Sequence, residues 1–302
     1  MRDYSDIVPA LEELGIEVCQ DIPLSAMTSF GIGGPADFLL KPASPEEISA
    51  ALKILAGEGV PVFVLGRGTN LLPADEGFRG AMVKPSSTRC DPWKEGNFIT
   101  GAALPLSELV ERALRNGLSG GEELMGIPGS VGGAVAMNAG AYGKWAADVL
   151  AGIVAFDMTG NEVTVETGEA FGYRRFDSRG EVVIAEAEWT FKSMGDPEKL
   201  LAKANEFDHS RKSTQPIGER SAGCIFMNPE GDHAGRLIEE AGLKGKRVGG
   251  AEISRIHGNF IVNKGGATAR DVIELIRFAQ AMILKEFGIE LKPEVITPGY
   301  EI

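Results

Sequence analysis

Two glycine-rich segments constrain this chain more than any other feature of its sequence. The first, Gly66 to Asn70, follows the short apolar run Pro61 to Leu65, which predicts a buried strand leading into a loop. Two glycines in that loop let backbone N–H groups approach an anion closely, and Thr69 and Asn70 add side-chain donors. The segment therefore predicts a phosphate cradle, although an ordinary tight turn has a similar composition.

The second segment, Gly126 to Gly143, is rich in small residues and poor in polar ones. Such a backbone is expected to press against a large flat ligand. Close packing between a helix and a strand selects glycine for the same steric reason. Composition alone leaves both interpretations of this segment open.

A third glycine motif, Gly31 to Ala36, matches the G-x-G-x-x-A fingerprint of dinucleotide-binding domains. That fingerprint requires a strand before the glycines and a helix N-terminus after them, where the pyrophosphate binds. Here Met27 to Ser29 precedes the motif, and the extended stretch Asp37 to Leu40 follows it. We therefore reject a nicotinamide-binding Rossmann domain at this position.

Length, composition and charge exclude several classes of protein. The 302 residues are enough for two or three compact units, because single cores rarely exceed about 250 residues. Apolar residues make up 43% of the chain, yet no apolar run reaches membrane-spanning length, so membrane insertion is not expected. The net charge of -13 opposes binding to nucleic acid or anionic lipid, while local basic pockets for small anions remain compatible with it.

The cysteines and histidines give no sign of a disulfide framework or a metal site. The three cysteines are odd in number and widely spaced, and the three histidines lie far apart in the last third of the chain. The polar stretch Met1 to Asp6 lacks the features of a secretory signal. We expect a reduced, cytoplasmic protein without a bound metal.

Periodicity predicts helices and strands along the whole chain, with a domain junction at Met194 to Pro197, where Asp196 caps a helix reaching towards Arg211. A strand over 183–191 is expected to bury one face and to expose a mostly polar one. The other predicted helices run up to about Gly15, from Ser44 to Gly57 or Gly59, over 105–116, around 234–240 and from Thr268 onward. The other predicted strands cover 36–40, 61–65, 81–84, 98–103, both sides of 159–161, Ile253 and 260–262.

A set of ordered motifs spans nearly the whole chain. The motifs are Thr28 to Gly34, Gly66 to Leu72, Gly126 to Ser130, Asn138 to Gly143, Phe171 to Arg174, Arg211 with Gln215-Pro216, Ser221 to Phe226 with Asn228-Pro229, Ala241 to Gly245, Ile261 to Asn263 and Leu291 to Val295. In kind and order they resemble the UDP-N-acetylenolpyruvoylglucosamine reductases.

The resemblance implies an α+β fold, in which a two-subdomain FAD-binding fold of the vanillyl-alcohol-oxidase type is joined to a C-terminal α+β substrate domain. The implied division is 1–84 and 85–198 for the FAD-binding subdomains, 199–292 for the substrate domain, and 293–302 for a tail returning to the flavin site. FAD would bind non-covalently, with NADPH as co-substrate. The implied FAD-binding residues are Gly66, Arg67, Gly68, Thr69, Asn70 and Leu71 around the pyrophosphate, and Ile127, Pro128, Gly129, Ser130, Gly132, Gly133, Asn138 and Gly140 along the flavin.

The implied reaction is NADPH-dependent reduction of a nucleotide sugar that carries an enolpyruvyl ether, which gives UDP-N-acetylmuramate for peptidoglycan. Arg174 would bind the carboxylate and counter its developing charge, and Glu294 would assist the same intermediate. Cys224 would donate the proton, where many relatives carry serine; a thiol is the stronger acid, so the role is kept. The implied substrate contacts are Tyr142, Arg211, Lys212 and Asn228.

The chain departs from the family pattern at several positions. Phe176 replaces the serine of the usual Tyr-Arg-x-Ser, Thr214 stands where many members have lysine, and Met227 stands at another frequent lysine. Lys212 is expected to take over a phosphate contact. The stretch from Arg174 to Val182 has no room for a tyrosine-bearing loop, so the chain resembles the shorter subclass.

Two other functions fit parts of the pattern. An oxidase of the same flavin fold would often tether its flavin through a histidine in the N-terminal unit, but no histidine precedes His209. A non-enzymatic flavin or nucleotide-sugar binding module would not need Arg174, Cys224 and Glu294 together. The sequence favours the reductase, with no obligate protein partner evident.

Overall fold

Helices and strands alternate along the chain in a computed structural model that describes residues 7–91, 97–165, 167–191 and 193–300. The helices are α1 (Ile7–Glu13), α2 (Pro45–Gly57), α3 (Leu106–Arg115), α4 (Val131–Ala136), α5 (Pro197–Thr214), α6 (Ala234–Glu240) and α7 (Ala269–Phe287). The first nine strands are β1 (Glu17–Pro23), β2 (Pro35–Lys41), β3 (Val62–Val64), β4 (Phe78–Val83), β5 (Asn97–Gly101), β6 (Leu118–Ser119), β7 (Gly140–Ala141), β8 (Lys144–Trp145) and β9 (Leu150–Asp157). The remaining strands are β10 (Glu162–Val163), β11 (Phe171–Gly172), β12 (Arg175–Phe176), β13 (Val182–Thr190), β14 (Ser193–Met194), β15 (Ser221–Cys224), β16 (Arg247–Val248), β17 (Ala251–Ile253) and β18 (Phe260–Asn263).

The chain folds into two compact units, each built from several segments. One unit takes in the chain up to Gln20, Phe38–Arg67 and Gly80–Ser210, and the other takes in Asp21–Asp37, Gly68–Arg79 and the chain from Arg211 onward. The four consecutive parts expected from the sequence, with bounds at 84, 198 and 292, stay a prediction. Residues 1–6 of the expected N-terminal helix and residues 301 and 302 of the tail lie outside the described residues.

A four-stranded sheet near the start of the chain is ordered β1-β2-β4-β3, with β3 parallel to β4. α2 begins where predicted, because Ser44 Oγ accepts the Glu47 N–H at 3.1 Å and the Glu47 carboxylate accepts the Ala43 N–H at 2.7 Å. Each fully buried apolar side chain beneath the helix contributes roughly 1.5–3 kcal/mol. This core includes Ile48, Ala51, Leu52 and Leu55 of α2 and Phe38, Leu40, Ala81 and Val83 of the sheet.

A second sheet is antiparallel and ordered β10-β9-β13-β5. At its centre the fully buried Trp189 donates its indole N–H to the buried Thr100 Oγ1 at 2.9 Å, so both polar groups have a partner. α3 and α4 share its core through Leu106, Leu109, Val110, Val131 and Val135.

Strand β13 departs from the predicted pattern of one buried face and one polar face. A register shift between Ile184 and Glu186 marks a β-bulge. Before the bulge, Val183 and Ala185 lie in the core with α2, whereas after it Ala187 lies in the core with α3 and α4. All five apolar residues of the predicted face, Val183, Ala185, Ala187, Trp189 and Phe191, are buried as predicted, but they divide between two cores, and Ile184 is buried as well. Simple alternation fails here because the bulge inserts one extra residue.

A third sheet is antiparallel and ordered β15-β18-β17-β16. α7 begins at the predicted Thr268, whose Oγ1 accepts the Asp271 N–H at 3.1 Å while the Asp271 carboxylate accepts the Thr268 N–H at 3.0 Å. Asp75 adds a further acceptor for the Ala269 N–H at 2.7 Å. The predicted stripe of α7 is buried with α6 in one core, through Val272, Leu275, Ile276, Ala279 and Ile283.

The motif Gly31 to Ala36 leads into β2, so a strand follows the glycines where a dinucleotide fingerprint needs a helix. This confirms that the motif is not a Rossmann fingerprint. Within the described ranges, no helix combines the length and the apolar character needed to cross a membrane.

Candidate functional site

The second glycine-rich segment folds into the short helix α4 and the hairpin of β7 and β8. Ser130 caps α4, because its Oγ accepts the Gly133 N–H at 3.4 Å. The Gly132 N–H donates to the Ala102 carbonyl at 2.9 Å. These first-turn N–H groups bond within the chain, so α4 offers a backbone wall and not a phosphate cradle.

The structure separates the two reasons for glycine in this segment. A Cβ on Gly132 would lie 3.0 Å from the Ala102 Cβ, and one on Gly140 would overlap the Trp145 ring, so internal packing explains both glycines. A Cβ on Gly133 would have a single neighbour within 4 Å, at 3.5 Å. Internal packing therefore does not require glycine at 133, and the open space there is wide enough for a ligand to approach the backbone.

The first glycine-rich segment reaches the second one at Gly66. A Cβ placed on Gly66 would lie 3.2 Å from Ser130 Oγ and 3.9 Å from Gly133 Cα. Residues about sixty positions apart in the sequence thus form one surface made largely of backbone. This is the surface that a flat, phosphorylated ligand needs.

Three cations surround the start of the Gly66 loop. β2 ends at Lys41, β4 is followed by Lys84, and Arg67 stands in the loop itself. Burial lowers the pKa of Lys84, and the charges of Lys41 and Arg67 lower it further. Sequence reasoning singled out Arg67 and missed the two lysines, although both stand at the carboxyl ends of strands that neighbour the loop.

The rest of this loop, from Gly68 onward, belongs to the second unit. Gly68 has φ 66°, and a Cβ there would overlap the Met27 carbonyl, so glycine is required by conformation and by packing. Its carbonyl accepts the Ser29 N–H at 3.1 Å. Asn70 donates its Nδ2 to the Glu294 carbonyl at 3.1 Å, and the Asn70 carbonyl accepts the Ile296 N–H at 3.1 Å. The predicted phosphate loop and the C-terminal segment are therefore hydrogen-bonded neighbours.

Cys224 and Glu294 come together through the backbone of Ile225. The Ile225 carbonyl accepts the Glu294 N–H at 2.7 Å, and Phe226 forms a β-bridge with Pro293. Cys224 ends β15 and its side chain is partly buried, as is that of Glu294. The structure thus places two of the three predicted catalytic residues on adjacent backbone.

A cavity of about 550 Å³ lies beside Cys224. Its lining includes Cys224 and the predicted substrate contact Asn228, together with His233, Arg236 and His257. The three basic side chains were not singled out from the sequence, because no short motif joins them. A second cavity, of about 570 Å³, lies against α2 and β9 and holds none of the predicted residues.

The other predicted substrate contacts of this unit have different surroundings. Arg211 and Lys212 lie in the last turn of α5, where Arg211 is only 8% exposed and Lys212 is exposed. Asn228 accepts the Ala234 N–H on its Oδ1 at 3.1 Å, which holds the start of α6. At least one polar atom of Asn228 therefore serves the fold.

Arg174 occupies a hairpin turn with an unusual backbone. β11 and β12 pair Gly172 with Arg175, which leaves Tyr173 and Arg174 as the turn residues. Arg174 has φ 53°, a left-handed conformation that costs a residue with a side chain about 1–2 kcal/mol. Its guanidinium carbon lies 5.7 Å from the centre of the Trp145 ring. Strain of this kind concentrates at functional sites.

Asn138, a predicted cofactor contact, also ties this turn to the glycine-rich segment. The residue is buried and has φ 39°. Its Nδ2 donates to the Gly172 carbonyl at 2.7 Å, and its Oδ1 accepts the Ala147 N–H at 3.1 Å. No local sequence pattern predicts this bond, since Gly172 lies 34 residues further along the chain.

Tyr142 stands at the tip of the hairpin of β7 and β8. Tyr142 and Gly143 both have positive φ, 52° and 78°, which is the sign pattern of a type I′ turn. The Tyr142 ring lies 4.7 Å from the ring of Phe207 on α5, and its hydroxyl donates to the Phe207 carbonyl at 3.3 Å. Tyr142 is still 51% exposed, so its side chain is accessible to a ligand.

Comparison with known proteins identifies the family. Residues 215–297 match the C-terminal domain of UDP-N-acetylenolpyruvoylglucosamine reductase, and residues 36–169 match an FAD binding domain. The UDP-N-acetylenolpyruvoylglucosamine reductase of Caldanaerobacter subterraneus subsp. tengcongensis is 41% identical over 278 residues, which cover 92% of this chain and 92% of that protein. The reductase of the same name from Carboxydothermus hydrogenoformans is 42% identical over 286 residues, with coverages of 93% and 94%.

A solved structure agrees with these relatives. The UDP-N-acetylenolpyruvylglucosamine reductase from Thermus caldophilus matches with a TM-score of 0.79 at 38% identity, over 93% of this chain and 98% of that chain. The predicted α+β class and the predicted FAD-binding domain are confirmed. The chain is an FAD-dependent oxidoreductase, and it belongs to the UDP-N-acetylenolpyruvoylglucosamine reductase family.

Proposed function

We propose that this chain reduces UDP-N-acetylenolpyruvoylglucosamine to UDP-N-acetylmuramate with electrons from NADPH, by way of non-covalently bound FAD. The observation that carries the proposal is the closeness of Cys224 and Glu294 along the folded backbone. Cys224 lines a cavity, and the Glu294 N–H donates to the carbonyl of Ile225, the residue directly after Cys224. A proton donor and an acid that assists the same intermediate must stand close together, because they act on neighbouring atoms of one substrate.

The residues present fit FAD. Gly66 and Gly133 form a backbone surface, Gly133 leaves room for close approach, and Arg67 and Lys84 place positive charge at its edge. A flat ring system that carries a diphosphate suits that combination. We propose that the loop 66–71 holds the diphosphate and that the glycine-rich segment from Ile127 to Gly140 lines the flavin. Bound FAD would carry the hydride between NADPH and the enolpyruvyl group.

Arg174, Glu294 and Cys224 are the proposed catalytic residues. Hydride addition to the terminal carbon of the enol ether leaves negative charge on the other carbon, which bears the carboxylate. That charge is delocalised onto the carboxylate oxygens as an enolate. Arg174 would bind the carboxylate through its planar guanidinium, and Glu294 would assist the enolate. Cys224 would transfer its S–H proton to the other carbon, which forms the new C–H bond, and would regain a proton from solvent.

Tyr142, Arg211, Lys212 and Asn228 are the proposed substrate contacts. A nucleotide sugar offers a diphosphate and many hydrogen-bonding groups, which basic and amide side chains match. The buried Arg211 is the most telling member, since a charge held 8% exposed is stable only with hydrogen-bonded or anionic neighbours. Met227 and Thr214 do not offer the cationic contact found in many relatives, and Lys212 would supply it.

We also propose that the protein acts in the cytoplasm, without an obligate protein partner, in the synthesis of peptidoglycan precursors. Its three cysteines, Cys19, Cys90 and Cys224, are thiols and not disulfides. Thiols are usual in a reducing compartment, and a cysteine that serves as a proton donor has to remain reduced.

The two half-reactions test the proposed roles. We expect Arg174→Lys and Glu294→Gln to spare flavin reduction by NADPH and to slow flavin reoxidation by the enolpyruvyl substrate by about 100-fold or more, the scale of losing one transition-state stabiliser. Stopped-flow absorbance of each half-reaction measures this. The matched control is Arg175→Lys, because the neighbouring Arg175 is exposed and pairs with Asp177. Equal slowing of both half-reactions would mean that the two residues hold the fold or the flavin instead.

A further inference from the structure

Strand β15 is irregular just before Cys224. It pairs Ser221 with Val262 and Cys224 with Phe260, so three steps along β15 match two steps along β18. One extra residue therefore sits in β15, and Gly223 within it has φ 74°. A bulge of this kind interrupts the regular ladder, and the backbone groups after it need other partners.

The side chain of Asn259 supplies those partners. Its Oδ1 accepts the Phe226 N–H at 2.9 Å, and its Nδ2 donates to the Phe226 carbonyl at 2.8 Å. The Asn259 backbone carbonyl also accepts the Ile225 N–H at 2.9 Å. The Asn259 side-chain amide thus replaces a strand neighbour for Phe226, and the Asn259 backbone carbonyl does so for Ile225. Asn259 is only 3% exposed, so water does not compete easily for these bonds.

The same stretch of chain, from Ile225 to Met227, is held from the other side by the C-terminal segment. The Ile225 carbonyl accepts the Glu294 N–H at 2.7 Å, and the Met227 N–H donates to the Lys292 carbonyl at 2.9 Å. One peptide stretch is therefore clamped between Asn259 and the segment that carries Glu294. Movement of this stretch would change the distance between the Cys224 thiol and the Glu294 carboxyl group.

We infer that Asn259 is a positioning residue: by clamping Ile225 and Phe226, it holds the Cys224 thiol in register with Glu294 for proton transfer. The inference rests on the function proposed above, in which Cys224 is the proton donor. Asn259 itself transfers no proton, because both atoms of its amide are bonded to Phe226.

His257 holds the clamp in place. Its Nδ1 accepts the Asn259 N–H at 3.1 Å, and its ring lies edge-on to Phe260 with centres 5.0 Å apart. Accepting that bond requires Nδ1 without a proton. Burial favours this state by lowering the pKa of His257.

A purely structural role for Asn259 would predict a general loss of stability, and a matched variant separates the two roles. Asn263 stands four residues further along the chain, at the end of β18, donates its Nδ2 to the Phe30 carbonyl at 3.0 Å, and accepts the Gly265 N–H at 2.9 Å. Asn263→Ala therefore also removes several side-chain hydrogen bonds from β18. None of the bonds that it removes reaches residues 224–227.

The first measurement compares the two half-reactions by stopped flow. We expect Asn259→Ala to slow reoxidation of the flavin by substrate by about 30-fold and to leave its reduction by NADPH within about threefold of the parent, since only the first involves the thiol. Alkylation of Cys224 by iodoacetamide, followed on its own peptide by mass spectrometry, should accelerate at least about fivefold as the clamp loosens. Asn263→Ala should leave the alkylation rate within about twofold. Equal alkylation in both variants would overturn the inference.

The second measurement is a double-mutant cycle. If Asn259 acts through Cys224, the variant Cys224→Ala with Asn259→Ala should reoxidise no more than about twofold slower than Cys224→Ala alone. If the double variant instead reoxidised more slowly than the parent by the product of the two single-variant factors, Asn259 would not act through the thiol. The cycle also separates this inference from the proposed function: a Cys224→Ala variant as fast as the parent would refute the donor itself, whatever Asn259 does.

Asn259→Asp covers the case in which the alanine variant does not fold. Aspartate keeps an acceptor for the Phe226 N–H and loses the donor to the Phe226 carbonyl, so the same two readouts should move in the same direction. An aspartate variant with parental alkylation and parental reoxidation would overturn the inference.

Discussion

Arg174 and Cys224 both depend on left-handed backbone. Arg174 itself has φ 53°, and Gly223, directly before Cys224, has φ 74°. At the second position glycine removes the cost, whereas at the first an arginine stands where glycine or asparagine would be more stable by about 1 kcal/mol. An arginine at a turn that disfavours it is well explained if its guanidinium is needed there.

The thiol of Cys224 gives the clearest single-residue prediction. Cys224→Ser should retain substantial activity and resist alkylation at this position, because a hydroxyl can still donate a proton. Cys224→Ala should keep flavin reduction by NADPH and nearly stop reduction of the enolpyruvyl substrate. Stopped-flow kinetics before and after iodoacetamide treatment measure both effects. If the alanine variant reduced the substrate at the parental rate, the proton donor would be another group or water and not Cys224.

His257 links pH to stability. Burial lowers the pKa of His257 most, the charge of Lys244 lowers it further, and Glu239 acts in the opposite direction. A histidine whose folded pKa lies below its unfolded value of about 6.5 stabilises the fold above that value and loses this contribution as the pH falls below it. The free energy of unfolding should therefore drop between pH 7.5 and 5.5.

Urea unfolding of His257→Gln at both pH values tests this. The variant should show a smaller drop than the parent, because glutamine takes up no proton in this range. His209→Gln is the control, since His209 is exposed on α5. If the parent and His257→Gln lost equal stability on acidification, His257 would not be the group responsible.

At the scale of secondary-structure elements, α4 gives a pair of neighbouring glycines with opposite packing. A Cβ on Gly132 would lie 3.0 Å from the Ala102 Cβ, while one on Gly133 would have a single neighbour, at 3.5 Å. Alanine in a helix is favoured over glycine by roughly 0.5–1 kcal/mol where space permits. The two positions therefore separate stability of the fold from binding of a ligand.

Gly133→Ala should leave the apoprotein as stable as the parent or slightly more stable, yet weaken FAD binding by about tenfold or more, because the methyl group occupies the approach surface. Gly132→Ala should destabilise the apoprotein. Thermal unfolding of flavin-free protein and titration with FAD followed by flavin fluorescence give the two quantities. If Gly133→Ala bound FAD as the parent does, this part of α4 would not face the cofactor.

Local signals predicted the element boundaries well, and long-range bonds account for what was missed. The starts of α2 and α7 follow from Ser44 and Thr268, because each cap bonds a residue three positions away. β1 gave no signal, since it is largely exposed and lacks apolar alternation. The bulge in β13 is set by its partner strands and not by its own pattern.

In the candidate site too, local motifs predicted single residues, and long-range hydrogen bonds account for what was missed. Cys224 and Glu294 were found from their motifs, but their proximity depends on a hydrogen bond that joins residues 225 and 294. The second role of Asn138 and the role of Asn259 depend on partners 34 and 33 residues away. No spacing rule predicts such contacts, because they arise when separate elements pack together.

At the scale of the whole molecule, the negative net charge of the protein opposes the binding of its anionic ligands. The chain carries a net charge of -13, while FAD, NADPH and a nucleotide sugar are all anions. Their binding must therefore rest on local cations such as Arg67 and Lys84, which act at short range where the surrounding solvent screens less. Such attraction holds a cofactor reversibly, and no histidine precedes His209 to tether one covalently.

FAD should accordingly leave the unfolded protein and stabilise the folded one. Acid or heat precipitation should release yellow FAD into the supernatant, and colour retained in the protein pellet would favour a tethered-flavin oxidase instead.

Free FAD at about 100 times its Kd should raise the stability of the apoprotein by about 2.7 kcal/mol, since only the folded state binds it. Riboflavin provides the control: it shares the flavin ring and lacks the diphosphate, so a protein that grips the diphosphate through the Gly66 loop should gain far less thermal stability from it. Equal stabilisation by riboflavin and FAD would show that the Gly66 loop and its cations do not contribute to FAD binding. The glycine-rich backbone around α4 would then be the surface that recognises the flavin ring.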